Sequence, residues 1–168
     1  TAARGDDTVN LFSSRGPTRG SRMVDDVKVR DHVLKPDLVA PGNQVVGAAA
    51  TRSDAADPAW NRMAASYWST LVTPTGIPST YLETQMYLSG TSVSAPVVAG
   101  AAAVLLQANP GLTPPMVKAI LQYTAQPIAG ANLLQQGAGL VNLTGAVTLA
   151  KVLRTDVTSA IAAGTIAS

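Results

Sequence analysis

The chain has no cysteine, one histidine, one phenylalanine and little charge: of 168 residues, only 13% are Asp, Glu, Lys or Arg. Each shortage excludes something. Without cysteine there are no disulfides, no thiolate metal sites and no cysteine nucleophile, an absence that fits either side of a membrane. A net charge of +2, with no cluster of Lys and Arg, offers no basic stripe to nucleic acid. No apolar run reaches the roughly 20 residues that span a bilayer; the longest, Val97–Leu106, is interrupted only by Gly100. Internal repeats and low-complexity linkers are missing as well. What is there is 46% hydrophobic, the composition of a folded domain with a real core. No charged-then-apolar signal segment follows Thr1, and the opening reads as a piece cut from something longer.

Along the chain, Val9-Asn10-Leu11-Phe12 reads as a strand feeding the turn Ser13-Ser14-Arg15-Gly16-Pro17. Residues 18–35 hold Asp25, Asp26 and Asp31 among five basic residues and read as an exposed excursion. Asp37-Leu38-Val39-Ala40 is a short buried strand stopped by Pro41-Gly42, and Val45–Ala50 is a second extended run. Residues 51–82 carry four of the seven aromatics (Trp60, Tyr67, Trp68, Tyr81) and read as a long surface segment with a short helix near 57–71. Helical patterning runs from Ser92 to about Ala108 and is ended by Asn109-Pro110-Gly111. Thr113-Pro114-Pro115 opens a second helix with Val117, Ile120, Leu121 and Thr124 on one face and Lys118 pointing away. Gly137-Ala138-Gly139-Leu140-Val141 gives a turn and short strand, and Asn142 caps a third helix bearing Leu143, Val147 and Ala150. The alanine-rich tail, 154–168, is a further helix or a frayed end. Short buried strands alternating with helices make the chain α/β.

The most informative stretch is Gly90-Thr91-Ser92-Val93-Ser94-Ala95-Pro96. Gly90 permits a tight turn, and Pro96 is tolerated only in the first turn of a helix. The helix therefore starts very near Ser92, placing its hydroxyl in the field of unpaired N–H groups. That field favours developing negative charge, and the N–H of Ser92 itself is an oxyanion donor. The helix behind it, Val97–Leu106, is apolar all round and is expected to be buried on every side. On these grounds Ser92 is either a helix cap or a nucleophile. The G-x-S-x-G elbow is not matched, because Ser94 stands where glycine is required.

Gly90-Thr91-Ser92-Val93-Ser94-Ala95-Pro96 with Val98-Ala99-Gly100 resembles the nucleophile signature of subtilisin-like serine proteases. Phe12–Thr18, Lys35-Pro36-Asp37-Leu38-Val39-Ala40-Pro41-Gly42 and Gly137–Asn142 resemble three more of the family's segments, in the family's order, over roughly residues 9–153. The resemblance implies the C-terminal part of a doubly wound, mainly parallel α/β sheet, with a buried central helix starting at the nucleophile. Residues 1–153 would belong to the catalytic domain, with surface insertions at about 18–35 and 51–82. It also implies a serine endopeptidase acting on polypeptides through an acyl-enzyme on Ser92, with Gly90 and Thr91 shaping the oxyanion turn. Leu88 and Ser89, just before that turn, are candidates for the substrate cleft, as is the end of the second insertion near Glu83–Tyr87. In the family the Asp and His of the triad and an oxyanion Asn lie upstream of the Phe-Ser-Ser stretch, so the chain alone is expected to be inactive. A secreted or cell-surface parent, calcium in that parent, and association of a half-sheet with a second copy or with its missing half are further expectations. The rival reading is a non-catalytic binding or structural module that keeps the fold.

Other features carry less. Asp31-His32 imitates a catalytic pair, but successive strand residues point to opposite faces, and His32 reads as a solvated loop residue. No Ser-x-x-Lys arrangement is present. Asp54, Asp57 and Asn61 do not have the alternating spacing of a calcium loop, and no metal or cofactor is assigned to this chain. Arg4-Gly5-Asp6 is a chance tripeptide, and Asn142-Leu143-Thr144, formally a glycosylation sequon, sits at the helix start.

Overall fold

The computed structural model describes residues 5–49, 61–76 and 84–165. In chain order the elements are β1 (Ser21–Val24), β2 (Val27–Arg30), β3 (Val45–Ala49), α1 (Arg62–Ser66), α2 (Trp68–Leu71), a 3-10 turn (Thr73–Thr75) and β4 (Thr84–Leu88). They continue with α3 (Thr91–Ala108), α4 (Pro114–Thr124), α5 (Leu133–Gln136), α6 (Leu143–Val152) and α7 (Val157–Ala162). The chain divides into two compact units, Thr1–Ala40 with Ser94–Ser168, and Pro41–Val93.

In the first unit, α3, α4 and α6, with Leu112 from the connection between α3 and α4, supply the core: Ala101, Leu105, Leu112, Val117, Ile120, Leu121, Ala146 and Ala150. The start of α4 follows from Pro114 and Pro115, whose missing N–H groups cost nothing in a first turn. Thr113 holds the cap position, but its hydroxyl makes no cap hydrogen bond. Asn142 does cap α6, its Oδ1 accepting from Gly145 N at 3.1 Å. On that helix Leu143 turns out to face solvent at 40% exposure, while Ala146 and Ala150 are completely buried. Small side chains let α6 approach its neighbours closely, and a leucine there would be overpacked. Asn109, also completely buried, fastens the end of α6: its Nδ2 donates to Ala150 O at 2.9 Å and Leu153 O at 3.2 Å, and its Oδ1 accepts from Gly111 N at 3.0 Å.

The expected strand at 37–40 is reduced to one parallel bridge, Val39 with Leu140, and Leu140 pairs on its other side with Gln126 in antiparallel sense. Val39 N donates to Gly139 O and Val141 N to Val39 O, both at 2.9 Å. Gly137, at φ +60°, is required here, because a Cβ would strike the backbone of Pro36 and Asp37. Residues 9–12 do not form the expected strand. Ser13 N donates to Asn10 O in a turn and Leu11 is 91% exposed; among the described residues no neighbouring strand exists for this segment to pair with.

The expectation that α3 is buried on every side also fails. Ala101 and Leu105 are buried, but Val104 is 39% and Leu106 43% exposed. The described elements cover a single stripe of the helix, and its sequence contains no polar stripe to place on the other side. By length and composition α3 could cross a bilayer; within this fold it is a core-packed helix, through Ala101 and Leu105.

In the second unit β3 and β4 form an antiparallel pair running from Val45↔Leu88 to Ala49↔Thr84. Met86 of β4 packs with Ala64 of α1 and with Val72, and Trp68, Leu71 and Leu88 close over them. The pairing of the named strands is thus antiparallel in both two-stranded sheets, and among the described residues the parallel component is the Val39–Leu140 bridge. The α/β class holds.

Candidate active site

Ser92 is the second residue of α3, and it is exposed. The turn before it is built by Gly90, whose φ of +151° suits a residue without Cβ. Gly90 N donates to Gly42 O at 2.8 Å and Gly90 O accepts from Val93 N at 3.0 Å. Ser89 adds a second tie to the same Pro-Gly turn. Its hydroxyl donates to Asn43 Oδ1 at 3.1 Å and accepts from Gln44 N at 2.8 Å. Leu88 pairs with Val45 and leans on the Met86 core.

The serines in this stretch therefore differ in what they do. Ser89 is committed to Asn43 and Gln44, and the Ser94 hydroxyl donates to Ala40 O at 3.1 Å. Among the described residues, no group hydrogen-bonds the Ser92 hydroxyl. Ser92 is not the cap of α3, because the helix already includes Thr91. A free hydroxyl on the first turn, beside N–H groups without intrahelical acceptors, is a nucleophile-compatible position. The roles of Ser89 and Ser94 were not legible in the sequence, since their partners lie 46 and 54 residues away.

His32 is exposed and has a left-handed φ of +43°. Its neighbour Asp31 accepts from Thr18 Oγ1 at 2.6 Å, so the two make no catalytic pair. Lys118 is exposed as expected, yet it does not simply point away: its Nζ is 3.0 Å from Asp37 Oδ1, and Lys35 holds the other carboxylate oxygen. The hydrogen bond from Lys35 is the main cause that keeps the Asp37 carboxyl below its usual range; partial burial opposes it and Lys118 reinforces it.

Asn61 Oδ1 accepts from Ala64 N at 2.9 Å as the cap of α1, and among the described residues no three His, Asp or Glu side chains gather. Asp54 and Asp57 lie outside the described residues, as do Arg4, Trp60, Tyr81 and part of the 51–82 segment. In the first unit an apolar groove of about 540 Å³ runs between α3 and α4, lined by Leu38, Val98, Ala102, Leu106, Val117 and Leu121 among others, with Asp37 and Lys118 at its edge.

Residues 2–147 match the model of the subtilase family. The chain is 34% identical over 147 residues to serine protease AprX of Bacillus subtilis, covering 88% of this chain and 27% of that protein. It is 32% identical over 131 residues to subtilisin-like protease SBT1.6 of Arabidopsis thaliana, covering 76% and 14% respectively. Among solved structures it is similar to fervidolysin from Fervidobacterium pennivorans, a keratinolytic enzyme related to subtilisin, with a TM-score of 0.50 and 25% identity over 76% of this chain and 18% of that one. The chain spans about a quarter or less of the length of these relatives. The match over nearly the whole chain, together with the serine turn at the mouth of α3, makes this protein a member of the subtilase family.

Proposed function

We propose that the chain carries the nucleophile of a serine endopeptidase, and that the nucleophile is Ser92. Its Oγ attacks the peptide carbonyl, the oxyanion is held in part by the Ser92 N–H at the mouth of α3, and expulsion of the amine leaves an acyl-enzyme that water hydrolyses. The proton of the hydroxyl passes to a histidine, oriented by an aspartate, that this chain does not contribute; an asparagine completes the oxyanion site. Polypeptides are the substrates, Leu88 and Ser89 border the cleft, and the working protein is secreted or at the cell surface. The observation that carries this reading is the uncommitted hydroxyl of Ser92 between two serines that are both tied down.

Labelling with a fluorophosphonate probe tests it. The 168-residue chain is expected not to react, whereas the chain completed with the upstream part of a subtilase domain reacts, and Ser92→Ala abolishes the reaction. Labelling of the chain alone would put the base within it and overturn the missing histidine. No labelling of the completed protein would favour a non-catalytic module.

A further inference from the structure

The β1–β2 hairpin has no part in the chemistry above, and every residue of both strands is exposed. It is nevertheless firmly tied at its base. Thr18 N donates to Val33 O at 2.9 Å and Asp31 N to Gly20 O at 3.0 Å, while the Thr18 hydroxyl accepts from Val33 N at 3.0 Å. At the other end Asp25 and Asp26 take left-handed φ values of 49° and 60°, as a two-residue hairpin turn requires.

The register decides what each side presents. Because Gly20/Asp31 and Thr18/Val33 are hydrogen-bonded pairs, so are Arg22/Val29 and Val24/Val27, and the N–H and C=O groups of Lys28 and Arg30 point outward from β2. The same alternation places Arg22, Val24, Val27 and Val29 on one face and Ser21, Met23, Lys28 and Arg30 on the other. Val27 is 62% and Val29 41% exposed. Among the described residues nothing pairs with the β2 edge.

We propose that this edge docks an extended polypeptide segment in which acidic and β-branched residues alternate. An added strand satisfies the outward backbone groups of Lys28 and Arg30. Its acidic side chains then lie beside the Lys28 ammonium and the Arg30 guanidinium, and its β-branched side chains lie against Val27 and Val29. A second copy of β2 is a poorer occupant, since it would bring Lys28 and Arg30 of both strands onto one face. The same cations guard the edge against neutral and basic strands, which makes it selective.

The test is an amide-resolved NMR titration of the whole 168-residue chain with a short peptide alternating Glu and Val, with a Lys–Val peptide as control. The Glu–Val peptide is expected to slow amide exchange at Lys28 and Arg30 and to bind more weakly as salt rises. The doubly substituted chain Lys28→Glu, Arg30→Glu binds it at least ~10-fold more weakly and accepts the Lys–Val peptide instead. Both positions are exposed, and unchanged α4 and α6 amide signals verify that the unit carrying the substitutions is folded. Equal affinity for the two peptides, or no protection of Lys28 and Arg30 up to ~1 mM peptide, overturns the proposal. So does a response confined to Val24, Val27 and Val29 that only anionic vesicles produce.

Discussion

At the scale of the residue, single polar side chains reach across long stretches of sequence. Asn109 is completely buried and gathers the end of α6 and the backbone of Gly111 around one amide. Asn109→Ala leaves the Ala150 and Leu153 carbonyls and the Gly111 N–H without partners, at roughly 1–3 kcal/mol for the unsatisfied groups. A urea titration should show that loss as a lower midpoint with an unchanged slope. An unshifted midpoint would mean water replaces the amide. Nothing local distinguishes Asn109 from an ordinary helix-ending Asn-Pro-Gly, so its role was invisible in the sequence. Ser92 is the opposite case: Gly90 and Pro96 place it in sequence at the start of a helix, and the structure adds that its hydroxyl stays free of the ties that hold Ser89 and Ser94.

At the scale of the element, α3 shows how far periodicity can mislead when there is none. An all-apolar helix predicts burial all round, yet Leu105 is fully buried and its neighbour Leu106 is 43% exposed. The two positions should respond oppositely to substitution. Leu105→Ala is expected to cost about 2–5 kcal/mol, as other core leucines do, whereas Leu106→Lys should change stability by less than about 0.5 kcal/mol and make the chain more soluble. Thermal unfolding and light scattering of the two variants check both claims. A large loss from Leu106→Lys would mean that the exposed stripe is covered in solution. Where periodicity is present the reading holds: Val117, Ile120 and Leu121 of α4 all face the core.

At the scale of the molecule, Asp37 links the segment before the Val39 bridge to α4 through Lys118 while also holding Lys35. Its folded carboxyl lies below the ordinary value of 3.8, chiefly through the Lys35 hydrogen bond. A depressed acid contributes stability that is present above the unfolded value and lost as the pH falls through the folded one. Stability should therefore drop as the pH is taken below about 4, and Asp37→Asn should flatten that part of the curve. Identical pH profiles for the two proteins would remove Asp37 from the account. Asp156 is shifted in the same direction by Arg154, but both are exposed, where ion pairs contribute little.

The sequence by itself determined the features written in neighbouring residues. The serine turn, the proline-led start of α4, the Asn142 cap, the α/β class and the family resemblance all rest on local patterns, because backbone preferences and caps act over a few residues. Only the tertiary structure decided which side of α3 is covered, that residues 9–12 form no strand, that Lys118 turns back to Asp37, and that Ser89, Ser94 and Asn109 each have a distant partner. Burial and hydrogen-bond partnership are properties of pairs of segments, and a single segment does not encode what will stand opposite it.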